Sequence, residues 1–171
     1  IEDASRAIDQ YCRRPDGFVA VATATARQYG GSGTGAQRID ECISITKVEV
    51  KDSPSDSAYT AWAATDWVAA SGAARNPVYH RLPYNLLLCA AGGAYGAFPA
   101  GEAAGPTVRV TARWGYAALV PPPIRRATIM QAARWYKRLQ SGMTDTLASP
   151  ELGGVMMYEK GLDPSVAWIL D

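Results

Sequence analysis

The pattern of hydrophobic and polar residues divides the chain into a helical start, a β-rich middle and a helical end. Over residues 1–14, apolar side chains recur at three- and four-residue spacing, which predicts an amphipathic helix. Pro15 and Gly17 follow at once and indicate where that helix ends. Its apolar positions are Ala4, Ile8, Tyr11 and Cys12.

Strand patterns fill the middle of the chain. The clearest is TVRVTARWGY, residues 107–116, in which apolar and polar residues alternate. A first strand is predicted over residues 18–28, which are rich in β-branched and aromatic side chains. In CISITKVEV the alternating apolar positions change parity between Ile45 and Val48. That change predicts a β-bulge or bend near residues 46–47.

The strongest helical pattern covers residues 124–140, directly after the prolines of VPPP. One half of this helix carries Ile124, Ile129, Ala132, Ala133, Trp135, Tyr136 and Leu139. The other half carries Arg126, Gln131, Arg134, Lys137 and Arg138. A short helix is predicted over residues 163–170, because Asp163 is a capping residue and Pro164 suits a first helical turn.

Composition excludes several classes of function. Hydrophobic residues make up 48% and charged residues 19% of the 171 residues, which is typical of a globular chain. The formal net charge of +1 does not indicate a protein that binds nucleic acid through bulk basicity. Three widely spaced cysteines and a single histidine, His80, argue against a zinc site. We therefore expect no metal and no cofactor.

Residues 82–101 carry no charge, and a stretch of 20 residues is long enough to span a bilayer. The stretch contains Pro83, Asn85, Pro99 and several glycines, which are atypical of a spanning helix. We expect buried strand-and-loop structure here, and no membrane partner.

The glycine-rich stretch YGGSGTGAQ, residues 29–37, has the glycine spacing of a phosphate-binding loop from Gly30 to Gly35 but lacks its functional side chains. A P-loop requires Lys and Ser or Thr after its last glycine, but Ala36 and Gln37 stand there. The nucleophile motif GxSxG fails because Thr34 occupies its last position. A strand pattern follows the stretch, so no helix N-terminus is directed at a bound anion. We expect a flexible β-hairpin tip.

Several segments together resemble the head–tail connector proteins of tailed phages, the neck adaptors that bind beneath the portal. They are ASRAIDQYCRR, TDWVAA, NPVYHRLPY, FPAGEAAGPTVRVTARWGYAALVPPPIRRATIMQAARWYKR and GLDPSVAWIL. The best match runs from Val108 to Arg138 and consists of an alternating strand ending in WG, a proline-marked turn, and a helix containing QAA and YKR.

The resemblance implies an α+β fold: a helical bundle with a β-rich insertion of hairpins, over about residues 18–116, between the N-terminal helix and the main C-terminal helix. It predicts a single adaptor domain over residues 1–143 and an extended C-terminal docking tail over residues 144–171. It also implies a structural virion protein and not an enzyme. Such adaptors form a homo-oligomeric ring, typically of twelve copies, and double-stranded DNA passes through the lumen without sequence-specific contacts. The predicted location is the neck of the virion, with assembly in the host cytoplasm.

The partners implied are other copies of the chain, the portal protein and the next neck or tail protein. The tail residues predicted to dock on the portal are Leu162, Val166, Trp168, Ile169 and Leu170. Docking on the chain's own subunit or on a neighbouring one is the alternative. The basic face that either lines the DNA lumen or forms ion pairs between subunits comprises Arg126, Arg134, Lys137 and Arg138. The loop predicted to contact a neighbour comprises Tyr29, Gly30, Gly31, Ser32, Gly33, Thr34 and Gly35.

Two other functions stay open on the sequence. A head-closure or tail-completion protein would differ in its ring position and partner. A small nucleic-acid-binding regulatory module belongs to another class, and sequence-specific DNA binding by a monomer would favour it.

Overall fold

A computed structural model describes residues 1–14, 16–101, 105–140, 146–148, 155–157 and 162–170. The chain divides into two compact units. One consists of Phe18–Leu119, and the other combines Ile1–Gly17 with Val120–Asp171.

The unit of residues 18–119 is built on a seven-stranded antiparallel sheet. Its strands are β1 (Thr25–Tyr29), β2 (Ala36–Val50), β3 (Thr60–Ala61), β4 (Trp67–Ala73), β5 (Asn76–Tyr79), β6 (Tyr84–Cys89) and β7 (Val108–Trp114). The order across the sheet is β1-β7-β2-β6-β4-β5, with β3 paired to β2.

The predicted fold class is wrong, because the protein is mainly an antiparallel β-sheet and not a helical bundle with an insertion. The principal hydrophobic core belongs to the sheet unit. It includes Val48, Trp62, Leu87, Phe98 and Val110, each at most 6% exposed. The resemblance to neck adaptors implied a bundle, but the alternating strands bury more of the chain's large apolar side chains than the helices do.

Strand β2 is shared by two parts of the sheet. Its N-terminal part pairs with β6, its C-terminal part pairs with β7, and Cys42 has partners on both. The pairing register shifts three times along the strand: between Arg38 and Cys42, between Cys42 and Ser44, and between Ile45 and Lys47. The side chains that reach the core are accordingly mostly three residues apart: Ile39, Cys42, Ile45, Val48 and Val50. Successive bulges twist and bend a strand, which lets this one serve both parts.

The bulge predicted near residues 46–47 is confirmed, and the other two were not foreseen. The alternation predicted for β7 is also confirmed, since Val108, Val110 and Ala112 are fully buried while their neighbours are half-exposed. The strand predicted over residues 18–28 is wrong at its start. Strand β1 begins at Thr25, and upstream of it Val19 makes only an isolated bridge to Ala117.

The second unit contains the helices α1 (Glu2–Tyr11), α2 (Pro122–Gln140) and α3 (Pro164–Leu170), with α1 and α3 both contacting α2. It also contains two short paired strands, β8 (Thr146–Ala148) and β9 (Val155–Met157). All three helices were predicted, but α1 ends three residues early. Just after the end of α1, Arg13 takes a φ of 55° and the Arg14 N–H donates a hydrogen bond to the Asp9 carbonyl. The predicted boundary between residues 143 and 144 lies outside the described residues.

Candidate docking surface on the helical unit

The buried side of α2 is not its apolar half. Ala127 and Gln131 are its buried residues, at 0% and 1% exposure. By contrast Ile129, Tyr136 and Leu139 are each more than half exposed. The division into an apolar and a polar half therefore does not coincide with the division into buried and exposed residues.

A polar contact explains why a glutamine is buried on α2. The Gln131 Oε1 accepts a hydrogen bond from the Asp163 N–H at 3.0 Å. The Asp163 carboxylate forms an ion pair with Arg134, and it also accepts a hydrogen bond from the Ser165 N–H at 2.7 Å. Asp163 is thus the N-cap of α3, as predicted from the sequence. The start of α3 is tied to α2 through Gln131 and Arg134.

The predicted docking residues of the tail separate into three sets by their burial. Val166 is fully buried on α3 within its own unit, so it stabilises the chain itself. Trp168, two positions later, is 82% exposed. Residues two positions apart point in nearly opposite directions on a helix of about 3.6 residues per turn, so Trp168 points away from the side that Val166 buries. Leu162, Ile169 and Leu170 are half-buried.

The residues of the predicted basic face of α2 differ in their exposure and in their partners. Arg126 and Lys137 are exposed. Arg134 is held by Asp163, and Arg138 is half-buried with a partner of its own. Arg125, which the sequence did not single out, is exposed as well. Arg125, Arg126, Arg134 and Lys137 are therefore exposed, with Arg134 paired to Asp163, and they are interspersed with the exposed apolar residues.

The glycine loop of residues 30–35 belongs to the sheet unit, and it is not a hairpin tip. The strands on either side, β1 and β2, each pair with β7 instead of with each other. The loop is fixed to the segment before β7: Thr107 accepts from the Gly31 N–H at 3.0 Å, and Gly101 donates to the Gly31 carbonyl at 2.9 Å. The Phe98 N–H donates to the Thr34 carbonyl at 2.9 Å. A role for this loop in contacting a neighbour stays a prediction.

Tyr29, at the start of this loop, belongs to a polar brace between β1 and β2. Asp40 accepts hydrogen bonds from Arg27 at 2.7 Å and from the Tyr29 hydroxyl at 3.0 Å. The Arg27 guanidinium also lies 4.8 Å from the ring centre of Trp114. Burial raises the pKa of the Tyr29 phenol above its ordinary value and raises the pKa of the nearby Cys42 thiol to about 12. Neither group is activated as a nucleophile or a base by this arrangement.

A second charged cluster joins β2 to β7. Glu49 accepts two hydrogen bonds from Arg109, both at 2.8 Å, and the Lys47 ammonium is 2.8 Å from the same carboxylate. The Arg109 guanidinium lies 4.3 Å from the ring centre of Tyr59. The hydrogen bonds from Arg109 outweigh burial and lower the pKa of Glu49 to about 2. Sequence reasoning missed this cluster, since Glu49 and Arg109 are 60 positions apart and only strand register brings them together.

No three His, Cys, Asp or Glu side chains of the described residues lie together as metal ligands. Of the helices described here, none combines the length and the apolar character needed to cross a bilayer. No family model, curated protein or solved structure matches this chain.

Proposed function

We propose that this chain is a structural virion protein: a ring-forming head-to-tail adaptor of a phage neck that binds the portal and lets the genome pass through its lumen. One observation carries most of the proposal. The helical unit turns large apolar side chains outwards on both α2 and α3, with Trp168 at 82%, Tyr136 at 62% and Ile129 at 59% exposure. Exposed apolar side chains on a folded unit are typical of a surface that another protein covers.

The resemblance of the sequence to neck adaptors supplies the kind of partner. The segments that carry it include α1 from its third residue to its end, the whole of β7, most of α2 and the whole of α3. The exposed cations of α2 suit the proposed lumen, because DNA in transit is attracted by phosphate contacts that carry no sequence information. Of the predicted lumen residues, Arg126, Arg134 and Lys137 are exposed in the single chain, and Arg134 is paired with Asp163.

Electron microscopy of the protein mixed with the portal of the same phage tests this function. We expect a ring of this chain, coaxial with the portal. The Trp168→Ala variant should give fewer portals that carry the ring, through loss of a contact with the portal or with a neighbouring copy, while Tyr79→Ala should behave like wild type, because Tyr79 is also about half exposed but lies in the sheet unit. Portal particles that never carry the added ring would contradict the proposal.

DNA binding separates the proposal from the regulatory-module alternative. An adaptor is expected to bind double-stranded DNA weakly and without sequence preference, with affinity that falls as salt rises. Replacing both Arg126 and Lys137 by Gln should lower that affinity and the steepness of its salt dependence. A monomer that selects one DNA sequence in a competition assay would support the regulatory module instead.

A further inference from the structure

The exposed face of α2 has the form of a socket. Ala133 and Gln131 are two positions apart, so Ala133 lies on the opposite side of α2 from the contact with α3. Ile129 and Tyr136 precede and follow Ala133 at four- and three-residue spacing, on the same exposed side. A small residue between two large ones leaves a depression into which a side chain of another helix fits.

Trp168 has the shape and position of the matching knob. It is the most exposed aromatic side chain among the described residues at 82%, and it points away from the face on which Val166 anchors α3 to its own unit. The socket on α2 likewise points away from the contact between α2 and α3. Within one chain, Trp168 on α3 therefore points away from α2, and the socket on α2 points away from α3.

The charges of the two surfaces are complementary. Arg125 and Lys137 are exposed on either side of the socket, six positions before and after Gln131. The last turn of α3 contains Trp168 and no basic residue, so its terminal carbonyl groups keep their partial negative charge. A cation beside the socket also has a favourable interaction with the face of an indole ring.

We propose that Trp168 of one copy inserts into the Ala133 socket of a second copy, between Ile129 and Tyr136. This inference rests on the proposed ring, for which it names the contact between neighbours. Knob and socket lie on different helices, so the contact is heterologous. Each copy therefore uses its Trp168 against one neighbour and its socket against the other. A closed ring forms when the rotations between successive copies add up to a full turn.

Two variants at exposed positions test the contact. Trp168→Ala removes the knob and Ala133→Trp fills the socket, while circular dichroism checks that both remain folded. In sedimentation equilibrium we expect wild-type chains to assemble and each variant to associate at least roughly tenfold more weakly, as for loss of an aromatic anchor. Tyr79→Ala is the matched control and should assemble like wild type.

Mixing the two variants gives a sharper outcome. Trp168→Ala keeps its socket and Ala133→Trp keeps its knob, so an equimolar mixture should form dimers that cannot extend. Assembly of each variant alone as in wild type would overturn the inference and leave the proposed adaptor intact. Wild-type chains that remain monomeric at the highest soluble concentration would also overturn it. The portal micrographs then decide separately whether the chain is an adaptor.

Discussion

Replacing Gly31 by Ala should destabilise the sheet unit strongly, although it adds only one methyl group. A Cβ on Gly31 would overlap the carbonyl oxygen of Pro99 and the hydroxyl of Thr107. The Pro99 carbonyl is part of the backbone, so it cannot rotate away as the end of a flexible side chain can. The Gly31 N–H and carbonyl are also bonded to Thr107 and Gly101, so the loop cannot move away without breaking those bonds.

The expected magnitude follows from these two effects. Forcing a methyl group into a filled space costs about 1–3 kcal/mol, and each buried hydrogen bond that is lost adds about 1 kcal/mol. We expect the free energy of unfolding to fall by about 3 kcal/mol or more. For a chain of this length that loss corresponds to a decrease in Tm of roughly 6–12 °C.

Gly96→Ala is the matched control, because a Cβ on Gly96 has no atom within 4 Å. Denaturant unfolding, followed by the fluorescence of tryptophans in the sheet unit, should give Gly96→Ala a stability within about 0.5 kcal/mol of wild type. Equal stability of the two variants would refute the close packing of the glycine loop. The loop would then be free to act as the flexible tip that its sequence suggested.

Three further predictions concern the polar contacts and the buried thiol. The pKa of Glu49 is lowered from 4.5 to about 2 in the folded protein. The ionised carboxylate therefore stabilises the fold fully above pH 4.5, and this contribution is lost as the pH falls towards 2. In unfolding curves measured against pH, Glu49→Gln should remove this part of the acid dependence, on the order of 2 kcal/mol. Asp163→Ala should accelerate hydrogen exchange of the α3 amides more than Asp163→Asn, because Asn keeps the cap and loses only the ion pair with Arg134. In a variant that keeps only Cys42, which is fully buried with a raised pKa, alkylation should require unfolding.

Each of these has an outcome that contradicts it. An unchanged acid profile in Glu49→Gln would mean that Arg109 does not hold the carboxylate in solution. Equal exchange rates in the two Asp163 variants would show that the cap contributes nothing to α3. Rapid alkylation of Cys42 in the folded protein would place that thiol outside the core.

Local rules predicted those elements whose cause lies within a few residues. The alternation of β7 was visible because Val108, Val110 and Ala112 are separated by polar residues. The start of α3 was visible because Asp163 and Pro164 suffice to specify a helix N-terminus. The bulges of β2 were not all predictable, because they depend on where its pairing with β6 ends and its pairing with β7 begins.

The glycine loop shows a second limit of the sequence. The glycines of the stretch predicted a turn, and the absence of a lysine after them argued against a phosphate-binding loop. It did not show that β7 would lie between β1 and β2, which turns a supposed hairpin into a connection across a neighbouring strand. Position 31 requires glycine because the backbone of Pro99, 68 positions away in the sequence, occupies the space of a Cβ. No local sequence pattern contains that contact.

Helix α2 shows why a hydrophobic pattern alone does not identify the chain's own core. By polarity Gln131 belongs with the arginines, yet it is buried because the Asp163 N–H needs an acceptor there. Ile129 and Tyr136 have the spacing of core residues, yet both are exposed. An apolar row at helical spacing indicates that the row will be covered, and it does not say by which chain. In the proposed ring, the covering residues belong to another copy or to a partner, and that arrangement would account for the mismatch between pattern and burial on α2.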